Sequence, residues 1–117
     1  MGRLIRRAIR NQKKRGTQIV EFDFGLEVDF NWGSGRGKYK TRNGFCCPLA
    51  AVMLEYGPKS TTRNRVDVFA FIAKKFGRDT QWSSSFTDGV DGMKYPNHNK
   101  RAYELGKRIR KEFQIWR

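Results

Sequence analysis

The stretch EFDFGLEVDFNWGSGRGKYKTR, residues 21–42, decides the fold, because its alternating side chains predict a β-hairpin. Acidic residues alternate with apolar ones in its first half, and basic residues occupy every second position in its last part. Strict alternation is typical of a strand with one buried face, and NWGSG between the two runs has the composition of a turn. We therefore predict one strand over residues 18–30 and a second over residues 36–42.

The register of this hairpin decides whether the two charged rows form separate binding surfaces or face each other. A four-residue loop over residues 31–34 would set three opposed pairs: Asp29 with Arg36, Glu27 with Lys38, and Asp23 with Arg42. Both charged rows would then share one face of the sheet, whereas a shift of one residue would mix the faces, which burial forbids. We predict a self-neutralising face, each opposed pair contributing about 0.2–1 kcal/mol. The alternative is that the carboxylates hold a divalent metal ion.

The period of apolar residues changes to about 3.6 after residue 46, which predicts helices. Turn and capping residues define the expected elements in chain order: a helix over residues 48–56 between Pro48 and Gly57, a helix capped within residues 60–62 and ended by Gly77, a short helix capped at Ser85, a loop at Gly89, Gly92 and Pro96, and a helix over residues 99–113. The predicted fold class is α+β, with one β-hairpin packed against three or four helices.

The N-terminal segment, residues 1–16, is basic and contains no acidic residue. Its apolar residues Leu4, Ile5, Ala8 and Ile9 have helical spacing, so it is either a short helix or an extended arm. The change in composition at its end predicts a basic N-terminal arm, residues 1–16, in front of a single α+β domain, residues 17–117. The arm is a candidate for binding nucleic acid. The alternative is that the segment is a disordered tail that only increases solubility.

The net charge of +14 and the pI of about 10.4 favour an anionic partner, with nucleic acid first and a membrane surface second. No apolar run approaches the roughly 20 residues that span a bilayer, and the N-terminus lacks the apolar core of a signal peptide. The adjacent Cys46 and Cys47 make a poor disulfide, so we expect a reducing, cytoplasmic compartment or packaging in a virion. Membrane binding is the less favoured partner.

Basic residues collect in the N-terminal arm, in the second hairpin strand and on the outer face of the last helix. A solvated helix face is the alternative interpretation of the last group. Trp32 joins the candidates because bases stack on exposed aromatic rings in single-strand binders. The predicted nucleic-acid-binding residues are Arg3, Arg6, Arg7, Arg10, Lys13, Lys14, Arg15, Trp32, Arg36, Lys38, Lys40, Arg42, Lys100, Arg101, Lys107, Arg108, Arg110 and Lys111.

Enzyme and metal motifs are sparse in this sequence. A hydrolase would need Cys46 or Cys47 beside His98, the one histidine, whereas small buried thiols at a helix start are the simpler interpretation. Two cysteines and one histidine without paired spacing do not form a structural zinc site, and GSGRGK lacks the spacing of a phosphate-binding P-loop. We therefore expect no catalytic residues, no metal and no cofactor.

Two segments of the chain resemble known families. MGRLIR is similar to the opening of the ribosomal protein uL2 family, over six residues. CCPLAAVML, residues 86–92 and AYELGKRIR resemble small uncharacterised bacterial and phage proteins that carry CPLGA-like, FxxGFDG-like and YELGRRLR-like segments, over roughly residues 45–111. Ala50 stands where that pattern has Gly, and Val90 where it has Phe. The resemblance implies a compact, mostly helical domain of phage origin, and no activity.

The sequence as a whole predicts a non-catalytic protein that binds the phosphate backbone of DNA or RNA through its basic arm and its C-terminal helix. Such a protein would belong to a phage particle or a ribonucleoprotein assembly. The first alternative is a structural protein of a virion or another large assembly that binds an acidic protein surface. The second alternative is an enzyme that uses a cysteine and a histidine.

Overall fold

Helices make up most of the computed structural model, which describes residues 1–21, 24–62, 66–94 and 98–115. The elements of this part, in chain order, are α1 Gly2–Lys14, β1 Gln18–Ile19, β2 Leu26–Asn31, β3 Arg36–Thr41, β4 Phe45–Cys46, α2 Pro48–Tyr56, α3 Val68–Phe76, α4 Thr80–Val90 and α5 Lys100–Glu112. The predicted α+β class is confirmed, and the antiparallel hairpin β2–β3 is accompanied by a parallel pair, β1–β4.

The basic N-terminal segment is a helix, one of the two conformations that the sequence left open. Ile5, Ala8 and Ile9 are fully buried in the core, and α1 packs against α2. Burial of an Ile side chain is worth about 1.5–3 kcal/mol, so α1 is part of the domain. The prediction placed residues 1–16 in an arm ahead of a domain over residues 17–117; in the structure the core covers the apolar stripe of this segment.

The hairpin has the predicted arrangement of faces but a different register. Glu27 lies opposite Lys40, and Asp29 lies opposite Lys38, so the acidic and basic rows share one face as predicted. The predicted partners Arg36 for Asp29 and Lys38 for Glu27 are wrong by two residues. The predicted pair of Asp23 with Arg42 lies outside the described residues.

The turn explains this shift of two residues. The Asn31 side chain accepts hydrogen bonds from the backbone N–H groups of Gly33, at 2.9 Å, and Ser34, at 3.2 Å. Gly35 donates to the Asn31 carbonyl and adopts φ +71°, a conformation that favours glycine. Asn31 thus remains in the ladder opposite Arg36, and the loop is residues 32–35 instead of residues 31–34.

The single strand predicted over residues 18–30 is interrupted. β1 pairs in parallel with β4, with Gln18 opposite Phe45, and β2 begins only at Leu26. Gly25, at φ +69°, lies directly before β2, and a Cβ there would collide with the Phe45 carbonyl. A long connection separates the parallel strands, so the local alternation of the sequence gives no sign that they pair.

The starts of two helices differ from the prediction. Asp67 caps α3 through a hydrogen bond from the Ala70 N–H, and Asp79 caps α4 through one from the Trp82 N–H. Residues 60–62 do not cap a helix, because Thr61 forms an antiparallel bridge with Gly37. Ser85 lies inside α4, where its hydroxyl accepts from the Asn99 N–H, and Gly89 lies in α4 instead of a loop. By contrast, the predicted limits of α2, the end of α3 at Gly77 and the start of α5 near Asn99 are confirmed.

Candidate nucleic-acid interface

The outer face of α1 is a row of cations. Arg3, Arg7, Arg10 and Lys14 are spaced by four, three and four residues, which places them on one side of a helix. All four are exposed, and they lie opposite the side that contains the fully buried Ile5. Within the described part of the chain, Arg3, Arg7 and Lys14 take part in no ion pair. Three of the four cations on this face therefore present unneutralised charge to solvent.

The outer face of α5 has the same character. Ala102, Gly106 and Ile109 are buried, and the opposite side of the helix is exposed. The exposed cations of α5 are Lys100, Arg101, Lys107, Arg108 and Lys111. The Lys107 ammonium also lies 5.5 Å from the centre of the Tyr103 ring, a cation–π contact that fixes its position.

Glu112 joins α5 to α1. Its carboxylate accepts a hydrogen bond from Arg6 at 2.8 Å and lies 3.6 Å from the Arg10 guanidinium. The neighbouring Phe113 ring lies 5.7 Å from Arg10 and 5.9 Å from the Lys13 ammonium. The edges of the two helices therefore meet, and their exposed cations border one another.

We call these exposed cations the α1–α5 basic surface. It comprises Arg3, Arg7, Arg10, Lys13, Lys14, Lys100, Arg101, Lys107, Arg108 and Lys111. Sequence reasoning identified all of these residues but missed Glu112, the acid that links them. Its partners are about a hundred positions away in the chain, so no local pattern indicates the contact.

Three other predicted binding residues, in or directly after these two helices, have partners inside the domain. Arg15 bonds the Glu55 carboxylate, whose side chain is only 4% exposed. Arg110 bonds Glu21 and donates to the Val90 carbonyl at 2.6 Å. Arg6, with a side chain 26% exposed, is held by Glu112. Each of these guanidiniums is paired with a carboxylate, so its charge is already compensated within the domain.

Two of the hairpin cations lie opposite carboxylates. The Lys40 ammonium lies 3.5 Å from Glu27, and Lys38 stands opposite Asp29. The Arg42 guanidinium donates to the Leu26 carbonyl at 3.2 Å. Arg36 differs, because it faces Asn31 and donates to the Ser60 hydroxyl at 2.6 Å, without a carboxylate opposite it in the ladder. The predicted pairing of acidic with basic residues across the hairpin therefore holds for Lys38 and Lys40, and Arg36 and Arg42 have polar uncharged partners instead.

Trp32 lies in the loop at this tip and is 81% exposed. Its ring makes an edge-to-face contact with Phe30, with centroids 4.7 Å apart. This contact and the side-chain hydrogen bonds of Asn31 hold the loop in one shape. Trp32 is therefore an exposed aromatic ring on an ordered support, in the loop that directly precedes Arg36.

Both thiols are buried at the start of α2, as the simpler interpretation predicted. The Cys47 sulfur accepts a hydrogen bond from the Ala50 N–H at 3.4 Å and so caps the helix. Burial, together with the neighbouring Cys47, raises the pKa of Cys46 to about 12, and burial raises the pKa of Cys47 to about 12. At neutral pH both are therefore protonated and weak nucleophiles. His98 is an exposed residue directly before Asn99, the cap of α5.

Nothing in the described residues brings three or more His, Cys, Asp or Glu side chains together as a metal site. Among the same residues, no helix is both long and apolar enough to cross a membrane. The chain matches no protein-family model, no curated protein and no solved structure. The candidate interface therefore has to be judged on its own geometry and charge.

Proposed function

We propose that this protein is a non-catalytic nucleic-acid-binding protein that contacts the phosphate backbone of DNA or RNA through the α1–α5 basic surface. The observation that supports this most is the meeting of α1 and α5 at Glu112, since it borders two rows of exposed cations. Each row lies opposite a buried apolar stripe, so the charge is fixed to a rigid support. Cations arranged in this way release counterions from a phosphate backbone when they bind it.

The phosphates of a nucleic acid suit this surface better than base edges do. The cations sit on the outer sides of two helices that are both anchored in the core. Backbone contacts position a protein without reading sequence, whereas base reading requires an element that enters a groove. We therefore propose binding with little sequence preference, within a nucleoprotein assembly such as a phage particle or a ribonucleoprotein.

Deletion of residues 1–16 is not an adequate test, because it would remove three fully buried core residues of α1. A triple variant, Arg3→Gln, Arg7→Gln and Lys14→Gln, removes three exposed charges and leaves the apolar side intact. A matched control, Lys59→Gln, Lys74→Gln and Lys75→Gln, removes the same charge from exposed positions of other elements. Circular dichroism and thermal melting establish that both variants are folded.

The measurement is a salt titration of binding to mixed-sequence duplex DNA, single-stranded DNA and RNA. The α1 variant is expected to flatten the log–log dependence of affinity on salt by about two to three units, at about 0.9 per contact for duplex and 0.7 for a single strand. The control is expected to change it much less. Equal effects of the two variants would show that charge acts without a defined surface. Absence of binding to all three nucleic acids would favour the alternative partner, an acidic protein surface in a virion or similar assembly.

A further inference from the structure

Trp32 is the most exposed large apolar side chain in the described part of the chain. It is 81% exposed, whereas the exposed Phe24 and Phe45 are 38% and 39% exposed. An indole ring in water has an unfavourable free energy that contact with a flat apolar partner would lower. The exposed indole is therefore available for contact with a flat apolar partner.

The loop presents this ring in a fixed position. Its backbone N–H groups at Gly33, Ser34 and Gly35 all bond to Asn31, and Phe30 contacts the indole edge-to-face at an interplanar angle of 72°. A ring that is held before binding loses little conformational entropy when a partner stacks on it. The tip is therefore a preorganised aromatic platform.

The hairpin register also places a cation at the base of the same loop. Arg36 begins β3 opposite Asn31, at the end of the loop that contains Trp32. In the register two residues away it would have faced Asp29 and been neutralised. In the observed register its guanidinium bonds only to the Ser60 hydroxyl among the described residues, and so its charge remains. The hairpin tip therefore carries an exposed aromatic ring and a cation with no carboxylate opposite it in the ladder, and single-strand binders hold bases and phosphates with these two kinds of group.

We infer that the hairpin tip binds single-stranded nucleic acid by stacking an unpaired base on Trp32, with Arg36 contacting a neighbouring phosphate. This inference rests on the proposed function and names its ligand class. Bases in a duplex already stack on one another and do not offer a free face to a loop residue. The tip therefore gives a preference for single strands that the α1–α5 basic surface alone would not have.

The test compares Trp32→Ala, Trp32→Leu and Trp32→Phe with the wild-type protein. The probes are labelled oligothymidylate and oligouridylate of about 20 nucleotides and a mixed-sequence duplex of similar length. Phe45→Ala is the matched control, because it removes an exposed aromatic ring away from the tip. The readouts are the dissociation constant across a range of salt and the tryptophan fluorescence on titration with oligonucleotide.

Trp32→Ala is expected to weaken single-strand binding by about 5- to 100-fold, with the salt slope and duplex affinity nearly unchanged. Trp32→Phe should recover part of the affinity and Trp32→Leu should not, since stacking needs an aromatic face. Oligonucleotide should quench the fluorescence of the wild-type protein and leave that of Trp32→Phe largely unchanged. Phe45→Ala should bind as the wild type does.

An equal loss on duplex and single strand, or full recovery with leucine, would overturn the stacking role of Trp32. Unchanged single-strand binding by Trp32→Ala, together with a flattened salt slope in the α1 triple variant, would overturn this inference alone and leave the proposed function standing. A wild-type protein that binds none of the probes would overturn both.

Discussion

Gly89 of α4 and Gly106 of α5 face each other across the contact between these helices. A Cβ atom at Gly89 would collide with the Tyr103 carbonyl oxygen, and one at Gly106 would collide with the Phe86 carbonyl oxygen and lie 3.1 Å from the Gly89 Cα. The backbones of α4 and α5 therefore touch directly. A side chain at either position would force the two helices further apart. Because α5 provides half of the α1–α5 basic surface, this contact positions the surface.

Replacement of Gly106 by alanine is expected to destabilise the protein by about 1–3 kcal/mol, because the backbone of α4 must move to admit the methyl group. The sign is diagnostic, since alanine in an ordinary helix interior would stabilise by up to about 1 kcal/mol. Chemical denaturation measures the change. Gly2→Ala is the control, because the atoms nearest its Cβ belong to the flexible side chains of Arg6 and Leu105. Stabilisation by Gly106→Ala would contradict the close contact.

Glu112→Gln is expected to tighten nucleic-acid binding. The substitution removes a negative charge from the middle of the α1–α5 basic surface and releases Arg6 and Arg10 from their ion pairs. The salt slope should steepen by about one unit. Thermal stability should fall slightly, since exposed ion pairs contribute about 0–1 kcal/mol. Glu27→Gln, which removes the same charge from the hairpin, is the control, and equal tightening by both variants would count against the surface.

Glu55 is expected to be the most sensitive carboxylate in the contact between α1 and α2. Its side chain is 4% exposed, and it accepts from the Gln12 amide at 2.9 Å and from Arg15. Glu55→Ala leaves the buried Gln12 donor without this acceptor, which costs about 1–3 kcal/mol. Urea denaturation measures the loss. Glu104→Ala, at an exposed position of α5, should change the free energy of unfolding by less than about 0.5 kcal/mol.

The buried thiols make stability depend on alkaline pH. Their pKa values are raised from 9.0 to about 12, so the folded protein holds its thiol protons more tightly than the unfolded chain. Their contribution to the free energy of unfolding is complete below about pH 9 and is lost as the pH rises toward 12. The Cys46→Ala and Cys47→Ala variants should each show a shallower decline over that range.

The same thiols should react slowly with a thiol reagent at pH 8 in the folded state and rapidly in denaturant. Rapid reaction of either thiol in the native protein would revive the cysteine–histidine enzyme as an alternative function.

The faces of the hairpin could be predicted from the sequence, but its register could not. Burial requires that the apolar residues of both strands share one face. A shift of one strand against the other by two residues keeps this arrangement, so burial does not choose between the predicted and the observed register. The choice among these registers depends on the turn, where Asn31 bonds the loop N–H groups. The alternative turn geometries differ from this one by small free energies. The residue types alone do not show which geometry has the lowest free energy.

The helix starts could also be predicted only in part, where the residues that set them act locally. Pro48 and Asn99 begin their helices as the sequence suggests, because each acts on the turn that directly follows it. Ser85 has the spacing of a capping residue but lies inside α4, because the Asp79 side chain caps that helix earlier. The cations of the interface were all visible in the sequence, whereas their grouping depends on which helices the core brings together.

The ion pair between Arg6 and Glu112 also has a consequence for biosynthesis. A ribosome adds α5 long after α1, so a growing chain displays the cations of α1 well before those of α5 can join them. Fragments that lack α5 would carry only one of the two charged rows. Under the proposed function, tight and strongly salt-dependent binding would therefore require the completed fold, and prematurely ended products would compete poorly for the same nucleic acid.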